Sequence, residues 1–293
     1  MSQANKENQH KINKTRLTDD LLKLGVQAGD RLVITAAISK IGRVEGSTQT
    51  VLDSLLSAVG HKGSIFGLSF TQLYKLPLNR VNTKKVFDLN TPTYTGSLNN
   101  AMIQHPKALR SRHPSCSVVG IGPHASEILP AHNVSSMAYE PVYKLAQYKN
   151  SKMLLLGTVD NCPGVTTVHV AQNLLGMKNR TTGKYGVNYI DEDGNKKLYV
   201  NNYVGGCSRG FWKFYDHYRK ARATSEGKVG NAHCMLANLK KTLEIDMKIL
   251  KKDPGFFFCD NPLCYTCRVT WEHSRTPLIV FALRRLAAKL IKK

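Results

Sequence analysis

The sequence predicts an α/β fold, a layered α/β/α sandwich with a central mixed sheet and a mostly helical C-terminal part. Short apolar runs typical of buried strands alternate with amphipathic helical segments along most of the 293 residues. Hydrophobic residues make up 42% of the chain, which is enough to bury one large core. Because no clean boundary divides this pattern, residues 17–273 are predicted to form a single domain.

The first third of the chain predicts two helix–strand units. Residues 1–16 are polar and basic, and we expect a disordered arm there. TRLTDDLLKLG predicts a helix that Thr18 caps and Gly25 ends. RLVITAAI (31–38) and SIFGLSF predict buried strands, with the helix TQTVLDSLLSAVG between them. The polar stretch from Thr71 to Thr95 has little periodicity, which is typical of lids and binding segments.

The rest of the chain continues the alternation. GSLNNAMIQHP predicts a helix that Pro106 ends, SVVGIG a strand and PVYKLAQY a helix. A strand is expected at 152–158 and a helix at 166–175. YGVNYIDEDGNKKLYVNNY alternates around Asp-Gly, which predicts a β-hairpin. Beyond Gly210 we expect mostly helix, interrupted by a cysteine-rich insertion at 259–267.

The charge balance points to anionic partners. Lys and Arg number 42 against 20 acids, a formal net charge of +22, which suits nucleic acid, phosphorylated ligands or an anionic membrane face. No segment resembles a signal peptide, and no apolar run reaches the roughly 18 residues that span a bilayer. The seven cysteines are expected to be mostly reduced, and the chain to be cytoplasmic.

Two loops carry residues suited to anions. SKIGRVEGS places Ser39, Gly42, Gly46 and Ser47 between a strand and a helix N-terminus, where free N–H groups can hold phosphate. An ordinary strand–helix turn would look the same. RSRHPSCS offers a dense set of donors to phosphate or carboxylate, although a solvated basic loop is an equal alternative. The donors in RSRHPSCS are Arg110, Ser111, His113 and Ser117.

A third loop carries a candidate base. In GTVDNCPGVTTVHVAQ a strand ends, Asp160 follows, and the next helix presents His169 in its first turn. Reactive groups on such loops, at the C-terminal ends of parallel strands, are typical of α/β enzymes. A histidine at a helix start is more often structural, and a base would need an orienting carboxylate.

Taken in order, these segments resemble the aminoglycoside 3-N-acetyltransferase family. The resemblance runs from about Leu24 to Pro254 and rests on three motifs: S-x-x-G-x-V-x-G from Ser39, R-S-x-H-P-x-x-S from Arg110, and T-x-x-H-x-A from Thr166. It implies acetyl-CoA as co-substrate. The residues it implies for acetyl-CoA binding are Ser39, Gly42, Gly46, Ser47, Arg110, Ser111, His113 and Ser117.

The resemblance also implies direct acetyl transfer to an amine, with His169 as base. Asp216, in FWKFYDHY, and Asp160 are the two candidate carboxylate partners, and Thr166 and Gln172 are expected to contact substrate. The chain departs from the family pattern twice. Thr35-Ala36-Ala37 stands where H-S-S is usual, and Gln172 stands where an acid is usual.

The acceptor is expected to be an anionic amino sugar, because the basic field of the chain opposes a polycationic aminoglycoside. We therefore expect a nucleotide- or lipid-linked precursor of a surface glycan. The alternative is an aminoglycoside, with antibiotic resistance as the outcome. A rival from another class is a basic nucleic-acid-binding protein without catalysis, although the chain has no familiar nucleic-acid-binding motif.

Two C-terminal features carry separate predictions. PLIVFALRRLAAKLIKK, within 274–293, predicts a basic amphipathic helix that contacts the anionic inner face of the membrane or else packs on the domain. Cysteines spaced C-x4-C-x2-C, followed by a histidine, can hold a structural zinc ion, although free thiols are common in the cytosol. The predicted ligands are Cys259, Cys264, Cys267 and His273.

Overall fold

The computed structural model describes residues 12–161, 164–203, 205–274 and 276–290. Eleven strands form two sheets: β1 Arg31–Ala36, β2 Ser64–Leu68, β3 Tyr74–Lys75, β4 Val86–Phe87, β5 Ala108–Arg110, β6 Val118–Ile121, β7 Ser151–Leu156, β8 Tyr185–Ile190, β9 Lys196–Val200, β10 Thr224–Val229 and β11 Ala232–Asn238. The main sheet has the order β10-β11-β7-β1-β2-β6-β5. Its centre is parallel, because β1 pairs in parallel with β2 and β7. All other pairings in it are antiparallel. The predicted mixed α/β sheet is confirmed.

Helices cover both faces of the main sheet: α1 Lys14–Leu24, α2 Ile38–Ile41, α3 Ser47–Val59, α4 Ser97–Ile103, α5 Ala125–Ile128, α6 Glu140–Ala146, α7 Thr167–Leu174, α8 Tyr215–Lys220, α9 Leu239–Lys252 and α10 Leu278–Leu290. The period of two along β1 builds the layers. Leu32 and Ile34 pack with α1, α3 and α4 in one core. Val33 packs with α6, α7 and α9 in the other. The central strand is therefore buried on both faces, which explains its continuous apolar sequence.

The N-terminal boundary of the fold lies earlier than predicted. Helix α1 begins at Lys14, and its cap is Asn13, whose side chain accepts a hydrogen bond from the Arg16 N–H at 2.9 Å. Thr18 is inside the helix. Ile12 is buried and bridges to Val44, so residues 12–16 belong to the domain rather than to a disordered arm. Residues 1–11 of the predicted arm lie outside the described residues.

The mostly helical C-terminal part is only partly correct, because β10 and β11 complete the main sheet. TSEGKV is polar and forms an edge strand, which has no buried face to show in its sequence. AHCMLAN lacks the β-branched residues typical of strands, yet β11 is held between β10 and the apolar β7. Tertiary pairing overrides local preference here.

The predicted hairpin is confirmed as β8 and β9, which pair antiparallel from Gly186 to Ile190. The polar stretch between Thr71 and Thr95 does not stand apart from the fold. Its short strands β3 and β4 both pair with β8, so this stretch and the hairpin form a second small sheet. The second sheet borders the cleft described below.

Helix α10 forms within the predicted C-terminal segment, and Phe281 anchors it by packing edge-on against the Tyr265 ring at 5.7 Å. Its other large apolar side chains stay exposed, namely Leu278, Ile279, Val280, Leu283, Leu286 and Leu290. Contact with an anionic membrane stays a prediction. Within the described ranges, none of the helices has the length and apolar character needed to cross a bilayer.

Candidate active site

A cleft of about 570 Å³ opens at the C-terminal ends of the parallel strands. Thr35, near the end of β1, lies on its floor and shares a hydrogen bond of 3.2 Å with Thr158, just after β7. Tyrosines supply much of the wall: Tyr94, Tyr139, Tyr185, Tyr203 and Tyr265. Among the described residues that line it there is no Asp, Glu, Lys or Arg. The cleft is therefore aromatic and hydroxyl-rich, without a fixed charge.

His169 lies in the first turn of α7 and faces this cleft. Its imidazole is stacked on the Tyr139 ring, with centroids 4.9 Å apart, and meets the Phe211 ring edge-on at 4.8 Å. These rings exclude water from most of the imidazole, and the resulting desolvation lowers the pKa of His169 to about 4. At neutral pH the imidazole is uncharged and able to accept a proton.

The partner of His169 is Gln172, one helical turn further along α7. Gln172 Oε1 lies 2.8 Å from His169 Nδ1 and accepts a hydrogen bond from its N–H. This hydrogen bond keeps Nδ1 protonated and leaves the lone pair on Nε2. Gln172 is fully buried and does not line the cleft, so the predicted substrate contact by Gln172 is wrong. Thr166 does line the cleft, beside His169.

Neither predicted carboxylate partner accompanies His169. Asp216 and Asp160 are largely exposed and lie at the two ends of one surface chain of polar contacts. Asp216 accepts from Arg219 at 2.9 Å, and Arg219 is also paired with Glu226. His233 then joins Glu226 to Asp160, at 3.3 and 3.2 Å. Both acids are held at the surface by basic neighbours, and the predicted pairing with His169 is wrong for each.

In the R-S-x-H-P-x-x-S segment, the polar side chains form hydrogen bonds within the protein and do not point toward a ligand site. Arg110 Nη2 donates to the Ser69 carbonyl at 2.9 Å, and Nη1 donates to the carbonyls of Leu89 and Thr91. Ser117 is fully buried and donates to the same Ser69 carbonyl at 2.6 Å. The guanidinium therefore fastens the 86–95 loop to the sheet, which uses the donors that were predicted to hold phosphate.

The remaining members of this segment are also enclosed. His113 Nδ1 accepts the Cys116 N–H at 3.0 Å, and its ring is stacked on His132 at 4.9 Å. Ser111 Oγ accepts the Val118 N–H and shares a 2.9 Å hydrogen bond with His132. Burial lowers the pKa of His113 to about 3, so it is neutral. The predicted cofactor contacts of Ser111, His113 and Ser117 are wrong, because all three are sealed from solvent.

The glycine-rich segment at 39–47 runs from the short helix α2 to the start of helix α3 and is largely exposed. Ser39 and Ser47 are exposed, and Gly46 is the left-handed N-cap of the 13-residue helix α3. Gly42 has φ +105°, and a Cβ there would lie 2.6 Å from Asn231 Nδ2, so only glycine fits. An exposed helix N-terminus, at the same sheet edge as the cleft, suits an anion. Cofactor binding by these four residues stays a prediction.

The cysteine-rich insertion brings together a different set from the predicted one. Cys259, Cys264 and Cys267 lie within 4.8 Å of one another and of Cys207, measured between sulfur atoms. His273 is outside this group, because its ring is stacked on Phe258 at 5.3 Å. The prediction of His273 as a ligand is wrong. Cys207 lies far upstream, so no local spacing could have indicated it.

Comparisons with known proteins point to one family and to solved structures with the same fold. The family model for aminoglycoside 3-N-acetyltransferase matches residues 33–251. An aminoglycoside N(3)-acetyltransferase III from Salmonella sp is 31% identical over 264 residues, covering 82% of this chain and 91% of that protein. Among solved structures, AAC-IIIb in a binary complex with CoASH has a TM-score of 0.71 at 21% identity, covering 83% of this chain and 97% of its own. AAC-VIa bound to sisomicin has the same TM-score and identity, and covers 83% and 98%.

Proposed function

Because this chain belongs to the aminoglycoside 3-N-acetyltransferase family and is by class an N-acetyltransferase, we propose that it transfers the acetyl group of acetyl-CoA to the 3-amino group of an aminoglycoside. The observation that carries the proposal is His169. It is a neutral imidazole whose Nδ1 is engaged by Gln172 and which faces the cleft. The names of the relatives indicate which acceptor to expect, and His169 provides a base that faces the cleft in which this acceptor would bind.

In the proposed reaction the free amine of the acceptor attacks the thioester carbonyl carbon. His169 Nε2 takes the proton that the nitrogen loses as the new amide bond forms. The C–S bond then breaks, and the same proton passes to the sulfur of CoA. The products are the acetylated amine and CoA thiol, and the enzyme returns to its neutral imidazole. No charged group of the cleft is needed for this balance.

The proposed cofactor site is the exposed turn that contains Ser39, Gly42, Gly46 and Ser47. The backbone N–H groups at the start of α3 and the dipole of that helix favour the pyrophosphate of acetyl-CoA. Lys40 and Arg43 lie in the same turn, are exposed and add positive charge there. AAC-IIIb, a structural neighbour, has been solved as a binary complex with CoASH, which supports acetyl-CoA as the donor.

A second candidate acceptor is favoured by the composition of the cleft. An aminoglycoside carries several ammonium groups, yet the described residues around the cleft include no carboxylate to pair with them. An amino sugar with a single amine, of the kind used in surface-glycan synthesis, would stack on the tyrosines without that requirement. The diphosphate of a nucleotide-linked form would lie outside this lining, which has no Lys or Arg among its described residues. Aminoglycoside acetylation remains the first proposal, because the curated relatives carry it in their names.

The test is a comparison of acceptors. CoA thiol release would be followed with a disulfide reagent in the presence of acetyl-CoA and either sisomicin or a UDP-linked amino sugar. The product would be located by mass spectrometry and NMR. The proposal predicts acetylated sisomicin, modified at the 3-amino group. Acetylation of the UDP sugar alone would select the second candidate, and no thiol release with either would contradict both.

The matched variants separate catalysis from folding. His169→Gln keeps a polar side chain and is expected to lower kcat by about 100-fold or more, the usual contribution of a positioned base. His61→Gln is the control, because His61 is exposed and is not among the residues that line the cleft. A His169→Gln variant that retains wild-type kcat would contradict the assignment of the base.

A further inference from the structure

Four cysteines converge beside the cleft and form a compact group of thiols. The sulfur atoms of Cys207, Cys259, Cys264 and Cys267 all lie within 4.8 Å of one another. Each of the four is a free cysteine, and two of them are fully buried. They come from two parts of the chain, the segment after β9 and the segment before α10. Four thiols from two distant segments, this close together, form a candidate metal-binding site.

We propose that these four cysteines bind one structural Zn²⁺ ion as tetrahedral thiolates. Zinc–sulfur bonds of about 2.3 Å arranged tetrahedrally place the sulfur atoms about 3.8 Å apart. The observed group is only slightly wider than this. Binding converts four thiols into four thiolates and releases four protons, so the site carries a net charge of –2. The tetrahedral Cys₄ set is a common closed structural zinc site.

The local backbone prepares the ligands. Asn261 Oδ1 accepts the Leu263 N–H at 2.9 Å, and the Asn261 carbonyl accepts the Cys264 N–H, so a tight turn presents Cys264. Cys267 lies in the π-helix Thr266–Thr270, and its sulfur accepts the Cys259 N–H at 3.4 Å. An N–H···S hydrogen bond is the outer-shell contact that stabilises a metal-bound thiolate.

Arg268 would offset part of the negative charge that a zinc tetrathiolate would carry. Arg268 donates to the Cys259 carbonyl. Lys213 donates to the neighbouring Phe258 carbonyl at 2.7 Å and pairs with Asp260 at 2.7 Å. Arg268 directly follows Cys267 in the chain, and Lys213 contacts the residues on either side of Cys259. A positive environment favours the thiolate form that binds metal.

Other occupants fit this group less well. Thiolates that hold an iron–sulfur cluster are separated by several iron atoms and bridging sulfides, so their sulfur atoms lie farther apart than those of a single-ion site. Disulfides would join the cysteines in pairs and would not require all four to converge. A single ion uses all four at once. Zinc is favoured over other single ions because a tetrahedral all-sulfur set is its usual structural site.

The site lies directly behind the cleft wall. Cys207 is flanked by Gly206 and Ser208, which line the cleft, and Cys264 and Cys267 bracket Tyr265 and Thr266, which line it from the other side. A bound ion would join the two segments that form this wall. This part of the chain has little helix or sheet of its own, so the metal would replace the hydrophobic core that it lacks.

The test measures metal content of the full-length chain, purified without chelator. Elemental mass spectrometry is expected to find one zinc per chain, and a mercurial reagent should release this zinc as it binds the four cysteine sulfurs. Replacement by Co²⁺ should give the visible absorption of a tetrahedral cobalt–thiolate site. Apo-protein prepared under reducing conditions should take up one equivalent of Zn²⁺. Failure to bind zinc on reconstitution, or iron in its place, would overturn the proposal.

Variants identify the ligands without relying on activity. Cys207→Ser should weaken zinc binding by more than the 10- to 100-fold that loss of an outer-shell partner costs. Cys234→Ala is the matched control, because Cys234 is a buried free thiol outside the group, and it should keep one zinc. His273→Ala should also keep one zinc. Loss of zinc from His273→Ala, with retention in Cys207→Ser, would overturn the assignment of the fourth ligand.

Discussion

A carboxylate at position 172 should change the pH dependence of the proposed reaction. Gln172 Oε1 lies 2.8 Å from His169 Nδ1, so Gln172→Glu places an anion against the imidazole with little change in shape. It also removes a buried donor, because Gln172 Nε2 has no hydrogen-bond partner among the described residues. Such an orphaned donor costs about 1–3 kcal/mol, which the variant would recover in part.

The size of the effect follows from the pKa of His169, which burial lowers to about 4. An opposite charge at this distance raises the pKa of a histidine by about 1–3 units, which moves it to between about 5 and 7. A stronger base takes the proton of the amine more readily. If about half of the change in basicity is expressed in the transition state, kcat should rise by about 3- to 30-fold.

The assay is kcat/KM against pH, with acetyl-CoA and the acceptor found to be active. After correction for the ionisation of the acceptor amine, which both enzymes share, the acid limb should lie near pH 4 in the wild type and move upward by about 1–3 units in Gln172→Glu. Gln172→Met is the control, because it keeps the volume and removes the hydrogen bond, and its rate should fall. An acid limb that stays near pH 4 in Gln172→Glu would refute the reasoning, since it would mean that the buried carboxyl is itself protonated.

Three further predictions test other parts of the structure. Burial raises the pKa of Asp246 to about 8, although Tyr218 donates a hydrogen bond to its carboxyl group at 2.5 Å. Between about pH 4 and 8 the folded state therefore keeps a proton on Asp246 that the unfolded state has lost. Unfolding at several pH values should therefore show Asp246→Asn gaining about 1.4 kcal/mol per pH unit over the wild type between pH 4 and 8, and a constant difference would contradict this pKa. Ser47→Asp should stabilise helix α3 by about 0.3–1 kcal/mol through the helix dipole, yet weaken acetyl-CoA binding by about 10-fold, because the carboxylate repels the phosphates. Thermal unfolding measures the first effect and calorimetric titration the second, with Ser47→Asn as control. Unchanged affinity for acetyl-CoA would exclude the cofactor from this turn. Arg110→Met should lower stability by about 2–4 kcal/mol, because it removes the guanidinium donor from the Leu89 and Thr91 carbonyls and leaves the Ser69 carbonyl with Ser117 alone. The affinity of the surviving folded protein for acetyl-CoA should stay unchanged, and weakened binding without loss of stability would restore Arg110 as a cofactor ligand.

The centre of the fold could be predicted because its strands are buried on both faces. LVI (32–34) and MLLL (153–156) are continuous apolar runs, as expected of strands that are covered on both faces of a layered sheet. The edge of the same sheet could not be predicted in this way. Glu226 and Lys228 lie on β10, where exposure removes the hydrophobic signal, and the position of this strand depends on β11. Such pairing across the chain leaves little trace in local sequence.

The chemistry of the R-S-x-H-P-x-x-S segment was open to two interpretations that residue types alone could not separate. Arginine and serine donate equally well to a phosphate and to a backbone carbonyl. Burial decides between them, since Ser111 and Ser117 are sealed and Arg110 holds three carbonyls of neighbouring loops. A motif can therefore mark a family correctly while its residues maintain the shape of the site rather than touch the ligand.

The net charge of +22 illustrates the same difference between the whole chain and its site. Long-range charge affects encounter and solubility, whereas the acceptor is selected by the groups that it touches. The described lining of the cleft has no fixed charge, and its base, His169, is neutral at pH 7 because of burial. Such a base takes a proton poorly from an ammonium group, so the acceptor has to react as the free amine. The lining of the cleft assists this, because its described residues offer an ammonium group no carboxylate to pair with. The neutral cleft, rather than the basic surface, thus constrains the choice of acceptor.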